Sequence, residues 1–142
     1  MVDSLTRAER SRVMSRVRSK DTKPEMIVRR ITHRMGFRYR LHDKKLPGCP
    51  DLVFRRRRKV VFVHGCFWHR HRNCRLARLP KSRRDFWTPK LNANRKRDER
   101  TIRELTKAGW QVLVIWECEI GDAEALACRI RNFLKGDEDE FG

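Results

Sequence analysis

Residues 60–74 read VVFVHGCFWHRHRNC, and this stretch sets the architecture. The apolar run from Val60 to Val63 has the length and composition of a buried strand, and it stops at His64. Cys66, His69, His71 and Cys74 then crowd into one loop, with Phe67 and Trp68 between them. Soft metal ligands, spare imidazoles and large rings in so short a loop point to metal binding and chemistry, not packing alone. Downstream, a helical pattern over 84–108 stops at Gly109 and leads into WQVLVIW at 110–116, a second apolar strand. A long helix between two apolar strands predicts a crossover connection and hence a mixed sheet.

Working back from residue 60, a charged hairpin turn over 55–59 follows a short strand at 51–54, and Pro47, Gly48 and Pro50 make the turn before it. Alternation at 37–41 predicts a further strand. A helix starts at Thr22, where Thr22 and Glu25 have capping-box spacing and Pro24 occupies the first turn. Ile27, Val28, Ile31 and Met35 form its apolar face, and Gly36 ends it. Residues 6–18 place Val13, Met14 and Val17 at helical spacing on a basic background, which predicts a short exposed helix. A last helix over 122–135 turns Leu126, Ile130, Phe133 and Leu134 inward. The expected order is α, α, β, β, β, α, β, α.

The chain of 142 residues fits one domain, and its 36 Lys and Arg against 18 Asp and Glu give a net charge of +18. Such a surface attracts polyanions and releases their counterions, so nucleic acid is the expected partner. An anionic membrane is the competing partner. No long apolar segment, signal peptide or lipidation motif accompanies the charge, and a cytosolic or nucleoid location is expected. In a reducing compartment the five cysteines read as metal ligands or free thiols, and their odd number argues against a fully paired disulfide framework.

Three constellations carry chemistry. Cys66, His71 and Cys74 are local zinc ligands that need a fourth. Cys118, Cys49 and Cys128 are the candidates; Cys118 is preferred because it ends the strand at 110–116, and His69 could replace His71. The second constellation is Asp51 with His64. If their strands are adjacent and antiparallel, both reach one sheet edge. There Asp51 and the Val63 carbonyl suit a hard cation such as magnesium. His64 and His69 can exchange protons near neutral pH, and Glu25 can anchor a water. Read singly, Asp51 is a turn residue and Glu25 a capping acid. The third constellation is Phe67, Trp68, Phe86 and Trp87 among arginines. These rings could wedge between base pairs or roof the metal loop, while Arg70, Arg72, Arg75, Arg78, Lys81, Arg83 and Arg84 contact phosphate. Arg55 to Arg58 either contact phosphate too or form a solvated turn. Met14 and Val17 could be a small core stripe or a minor-groove wedge.

The blocks RSRVMSRVRSKDTKPE at 10–25, RYRLHDKKLPGCPDLVF at 38–54, VFVHGCFWHRHRNC at 61–74, FWTPKLNANRKRDER at 86–100 and GWQVLVIWECE at 109–119 resemble the very-short-patch repair (Vsr) family of DNA mismatch endonucleases. The resemblance implies a PD-(D/E)xK restriction-endonuclease-like α/β fold: a central mixed sheet flanked by helices, with a structural zinc site. Pro50 and Asp51 fit that motif, whereas Phe62 and His64 stand where its second acid and lysine would be. The resemblance makes Asp51 the metal-binding acid, His64 and His69 the catalytic histidines, and Glu25 a supporting acid. It makes Cys66, His71, Cys74 and Cys118 the zinc ligands. Phe67, Trp68 and Trp87 become the major-groove wedge and Met14 the minor-groove insertion. Lys90 and Asn94 face the mismatched bases, and Asp98 orients a histidine. Val63 replaces a threonine and keeps its carbonyl for magnesium.

The expected organisation is a basic DNA-contacting helix at 1–20, an endonuclease domain at 21–135 and an acidic disordered tail at 136–142. The expected function is that of a bacterial, cytoplasmic, Mg2+-dependent enzyme. It nicks double-stranded DNA 5′ to the thymine of a T·G mismatch as a monomer, with other mismatch-repair proteins as further partners. The competing readings are a non-catalytic zinc DNA-binding module and a restriction-type nuclease of the same fold.

Overall fold

A computed structural model of the chain describes residues 21–77 and 84–141. The expected helix at 6–18, Met14 within it, and the basic residues Arg78, Lys81 and Arg83 lie outside the described residues.

Helix α1 (Lys23–Arg34) begins as its sequence predicts. The Thr22 hydroxyl accepts the Glu25 N–H at 3.3 Å, and Pro24 occupies the first turn. The expected strand at 37–41 shrinks to β1 (Arg40–Leu41). Its first residues are tied to α1 instead: the Phe37 N–H donates to the Thr32 carbonyl, and the Tyr39 hydroxyl donates to the Arg29 carbonyl. Strands β2 (Leu52–Phe54) and β3 (Lys59–His64) form an antiparallel hairpin. Helix α2 (Arg84–Lys107) then crosses to β4 (Gln111–Trp116), which pairs parallel to β3. The order β1-β2-β3-β4 is the mixed sheet that the crossover argument predicts.

Alternation along β2 and β3 gives the sheet two apolar faces. Leu52, Phe54, Val61 and Ile115 pack with Val28 of α1 and with Leu126, Ile130 and Leu134 of α3 (Ala123–Phe141). Val53, Val60 and Phe62 pack with Leu105 and Trp110 beneath α2. Helices therefore flank the sheet on both sides. At the exposed edge, Arg129 of α3 donates to the Val114 carbonyl of β4 at 3.1 Å, which occupies an edge acceptor.

Two expectations change here. Helix α3 runs on to Phe141, so the acidic run at 137–140 continues a helix where a disordered tail was expected. The cationic turn at 55–59 does more than either expected reading, since three of its side chains also reach backbone carbonyls. Arg57 donates to the Leu134 carbonyl at 2.9 Å, Arg58 to the Ala108 carbonyl at 2.9 Å, and the buried Lys59 to the Phe133 carbonyl at 2.5 Å. These charges clamp the helices onto the hairpin by satisfying backbone acceptors.

Gly48 fixes where the turn before β2 meets α2. Its φ is +73°, and a Cβ there would collide with Thr101 Cγ2 and stand 3.3 Å from the Phe62 ring. Both the backbone and the space demand glycine. Gly48→Ala is expected to destabilise the fold by roughly 2–4 kcal/mol. Urea unfolding measures this, and a loss under about 0.5 kcal/mol would mean that α2 can move aside.

Candidate active site and metal centre

One cleft of about 610 Å³ opens between the end of β3, the start of β2 and helix α2, and it is lined by Asp51, His64, His69, Trp68, Asp98 and Glu117 among others. The hairpin register pairs Leu52 with Val61, which brings Asp51 beside the last residues of β3. The Val63 N–H donates to Asp51 Oδ2 at 2.7 Å and fixes that carboxyl group. Burial pushes the Asp51 carboxyl up to about 8; the neighbouring Glu25 adds to the rise, and the Val63 N–H and Arg29 oppose it. Without a cation, Asp51 therefore carries its proton at neutral pH.

Glu25 lies 1% exposed. Its carboxylate turns away from the simple capping role. Oε1 accepts the Asp21 N–H at 3.0 Å, and Oε2 meets Arg29 at 2.6 Å and His42 Nε2 at 2.9 Å. His42 Nε2 also lies 3.9 Å from Asp51 Oδ1. Two buried carboxyls backed by one another call for positive charge between or beside them, and oxygen donors of this kind suit a hard divalent cation. The residues present thus fit magnesium at Asp51.

The two histidines meet face to face. The His64 and His69 rings stack at 3.8 Å with 6° between their planes. His69 Nδ1 is 2.5 Å from Asp98 Oδ2 on α2, so Nδ1 donates to that carboxylate and Nε2 is the nitrogen turned away from it. Burial, reinforced by the His69 charge and opposed by Asp98, pushes His64 down to about 4. His64 is therefore a neutral imidazole at neutral pH, and its buried Nδ1 has no hydrogen-bond partner among the described residues. An orphaned buried acceptor or donor is costly and marks a place where a further ligand belongs.

Behind this cleft, the side-chain ligand atoms of Cys66, His71, Cys74 and Cys118 all lie within 4.8 Å of one another. His71 Nδ1 is 3.5 Å from Cys66 Sγ and 3.4 Å from Cys118 Sγ. Tetrahedral zinc with ordinary Zn–S and Zn–N bonds requires S to N separations of about 3.6 Å, so this donor set fits such an ion. Cys118, just past the end of β4, is the fourth member of this cluster. His69 belongs to the cleft and leaves the cluster to His71. Cys128 is exposed on α3, not turned to the core, because its helix buries Leu126 and Ile130 instead. The His71 ring stacks on Trp116 at 4.2 Å, which holds the metal loop against β4.

Phe67, Trp68 and Trp87 form a three-ring cluster with edge-to-face contacts of 5.1 to 5.8 Å. All three rings are half-buried, and none joins either apolar core. Phe67 and Trp68 line the cleft. Asn94 reaches it too and donates to the Trp68 carbonyl at 3.3 Å. Lys90 is exposed, with its Nζ 5.0 Å from the Phe86 ring.

Three side chains at this site escape a reading of the sequence: Arg29, His42 and Glu117. Glu117 Oε1 accepts the Cys66 N–H at 3.0 Å and couples the metal loop to the cleft. Its place beside Cys118 in the WEC triplet was the available signal. Arg29 and His42 carry none, since each reads locally as surface charge.

The class follows from the comparisons: this chain of +18 net charge, with a cleft beside a cysteine–histidine cluster that could hold a metal, is an endodeoxyribonuclease. The sequence model of the family described as DNA mismatch endonuclease Vsr matches residues 2–76. The type II nicking enzyme V.XorIIP of Xanthomonas oryzae pv. oryzae is 54% identical over 134 residues, covering 94% of this chain and 98% of that protein. The DNA mismatch endonuclease Vsr of Escherichia coli K12 is 40% identical, covering 96% and 90%. The type II nicking enzyme V.NmeAIP of Neisseria meningitidis is 42% identical, covering 95% and 96%. The chain belongs to the Vsr family of DNA mismatch endonucleases. Among the described residues, no helix is long and apolar enough to cross a membrane.

Proposed function

We propose that this protein is a Mg2+-dependent endonuclease that nicks one strand 5′ to the thymine of a T·G mismatch, in very short patch repair of deaminated 5-methylcytosine. Its sheet and helices are then a variant of the PD-(D/E)xK fold with Asp51 as the surviving acid. The observation that carries this reading is the shared cleft: Asp51, the stacked His64–His69 pair and the Phe67–Trp68 edge face one space. The names of the relatives join in it, since single-strand cleavage at a mismatch is both nicking and mismatch endonuclease activity.

Asp51 and the Val63 carbonyl would hold the cation, which supplies charge neutralisation at the scissile phosphate. The chain does the rest. His69, fixed by Asp98, accepts a proton from the attacking water through Nε2. Neutral His64 offers its unpartnered Nδ1 to the reacting phosphate group. Phe67, Trp68 and Trp87 wedge into the duplex, where a mismatched step unstacks more readily than a paired one. Lys90 and Asn94 face the mismatched bases, and arginines of the loop contact phosphates. One protomer suffices to cut one strand. The zinc-type site has four protein ligands and no open position, so it serves the loop and not the chemistry.

End-labelled T·G and C·G duplexes, with and without magnesium, test this directly. One labelled strand of the T·G duplex should be cut, in magnesium only. Equal cutting of the C·G duplex would replace mismatch specificity with a restriction-type activity, and cutting without a divalent cation would remove Asp51 from its role.

A further inference from the structure

We infer that His42 is a positioning residue for the catalytic acids, which rests on the reading of Asp51 and Glu25 just given. His42 stands between the two carboxyl groups. Its Nε2 is 2.9 Å from Glu25 Oε2 and 3.9 Å from Asp51 Oδ1. Its backbone is tied to the same place, because the His42 N–H donates to the Asp51 carbonyl at 3.3 Å. Its φ is +46°, a left-handed conformation that costs a non-glycine residue energy and persists where the surroundings impose it. A side chain held in a strained backbone, half-buried and aimed at two acids on separate elements is spent on their geometry.

The physical task is specific. Glu25 comes from α1 and Asp51 from the start of β2, so nothing in the sheet sets the distance between them. Arg29 grips Glu25 from its own helix, one turn on, at 2.6 Å. That contact travels with α1 and cannot orient Glu25 relative to β2. His42 can, since it sits just past β1, which pairs with β2 through Arg40–Val53 and Leu41–Leu52. A donor on Glu25 Oε2 from this side turns the carboxylate toward Asp51 and keeps the pair at the spacing in which both can serve one cation and its water. Groups of this type, one step removed from the ligands, change metal affinity or activity by about 10–100-fold when lost.

The test uses His42→Leu, His42→Asn and His42→Gln in the full chain, with nicking of a T·G duplex read against magnesium concentration. Glutamine keeps an N–H donor at nearly the reach of Nε2; asparagine keeps the donor but falls short; leucine has none. His42→Leu and His42→Asn should nick about 10–100-fold more slowly and require more magnesium, while binding T·G duplex in magnesium-free buffer within about twofold of the parent. His42→Gln should recover most of the rate and the original magnesium requirement. If the leucine variant melts early, the contrast between asparagine and glutamine still decides. Parent-like rate and magnesium requirement in His42→Asn would overturn the inference, as would a glutamine variant as impaired as asparagine. Asp51→Ala run alongside separates the two levels. Full nicking by that variant brings down the metal assignment itself, whereas an inert Asp51→Ala beside fully active His42 variants removes only His42.

Discussion

Asp51→Ala leaves a T·G duplex bound but uncut. The expected loss in nicking is on the order of 10³-fold or more, because a cation at a phosphoryl oxygen is worth several kcal/mol and each ~1.4 kcal/mol is tenfold in rate. In the proposed reading binding survives, because affinity rests there on loop arginines and the aromatic cluster and not on Asp51. Gel-shift and nicking assays on one preparation check both halves, and retained cutting would unseat the carboxylate. The same residue predicts a stability effect of opposite sign. The folded carboxyl is held up to about 8 against an ordinary 3.8. Between these values the folded state keeps a proton that the unfolded chain has released, so stability falls as pH rises through the window and levels off above 8. Asp51→Asn removes that penalty. In magnesium-free buffer it should be more stable than the parent by on the order of 2–5 kcal/mol at pH 8, with the gap closing toward pH 5. His64 contributes the reverse slope at lower pH, since its folded value of about 4 lies below the ordinary 6.5 and acid therefore favours the unfolded state. That slope is common to both proteins and cancels in the difference. A variant that is inactive yet more stable is the signature of a site built for function.

What could be read from the sequence, and what could not, divides along a physical line. The crossover from β3 through α2 to β4 was legible because apolar runs and a long helical pattern are local signals. Cys118 was legible because a strand end is one of few places that can return to a distant loop. The Thr22 cap was legible because its partner is three residues away. His42 was not, since its partner Glu25 is seventeen residues away and the contact exists only once α1 packs on the hairpin. The carbonyl contacts of the turn at 55–59 were hidden for a related reason, because Leu134 and Ala108 arrive from elements far along the chain. Strand β1 fell short because the Phe37 N–H and the Tyr39 hydroxyl bond to α1, which alternation cannot see.

Cys118→Ser should cost the protein its tightly held metal and, with it, all nicking. Burial pushes the Cys66 thiol up to about 12 and the Cys118 thiol up as well, while hydrogen bonds hold the Cys74 thiol down, so without a cation Cys66 and Cys118 keep their protons at ligand distance. A zinc ion held by these four residues would displace those protons and contribute about 10–16 kcal/mol, comparable with the whole stability of a domain, about 5–15 kcal/mol. The loop that would gain this energy is otherwise held by contacts at single points, such as the His71–Trp116 stack and the Glu117 bond to the Cys66 N–H, while Phe67 and Trp68 lie outside both cores. His69 is two residues from His71, and its N–H donates to the Gly65 carbonyl within the same turn. Release of the ligand at 118 therefore frees His69 from His64 and Asp98 as well as the rings from the cleft edge. Elemental analysis should give one zinc per parent chain and none in Cys118→Ser, and thiol-reagent uptake should rise accordingly. Cys128→Ser, on the exposed face of α3, should keep both metal and activity. A Cys118→Ser protein with full zinc and full nicking would show that three ligands hold the loop unaided. Loss of zinc with nicking intact would be the more damaging result, since it would sever the metal loop from the histidine that depends on it.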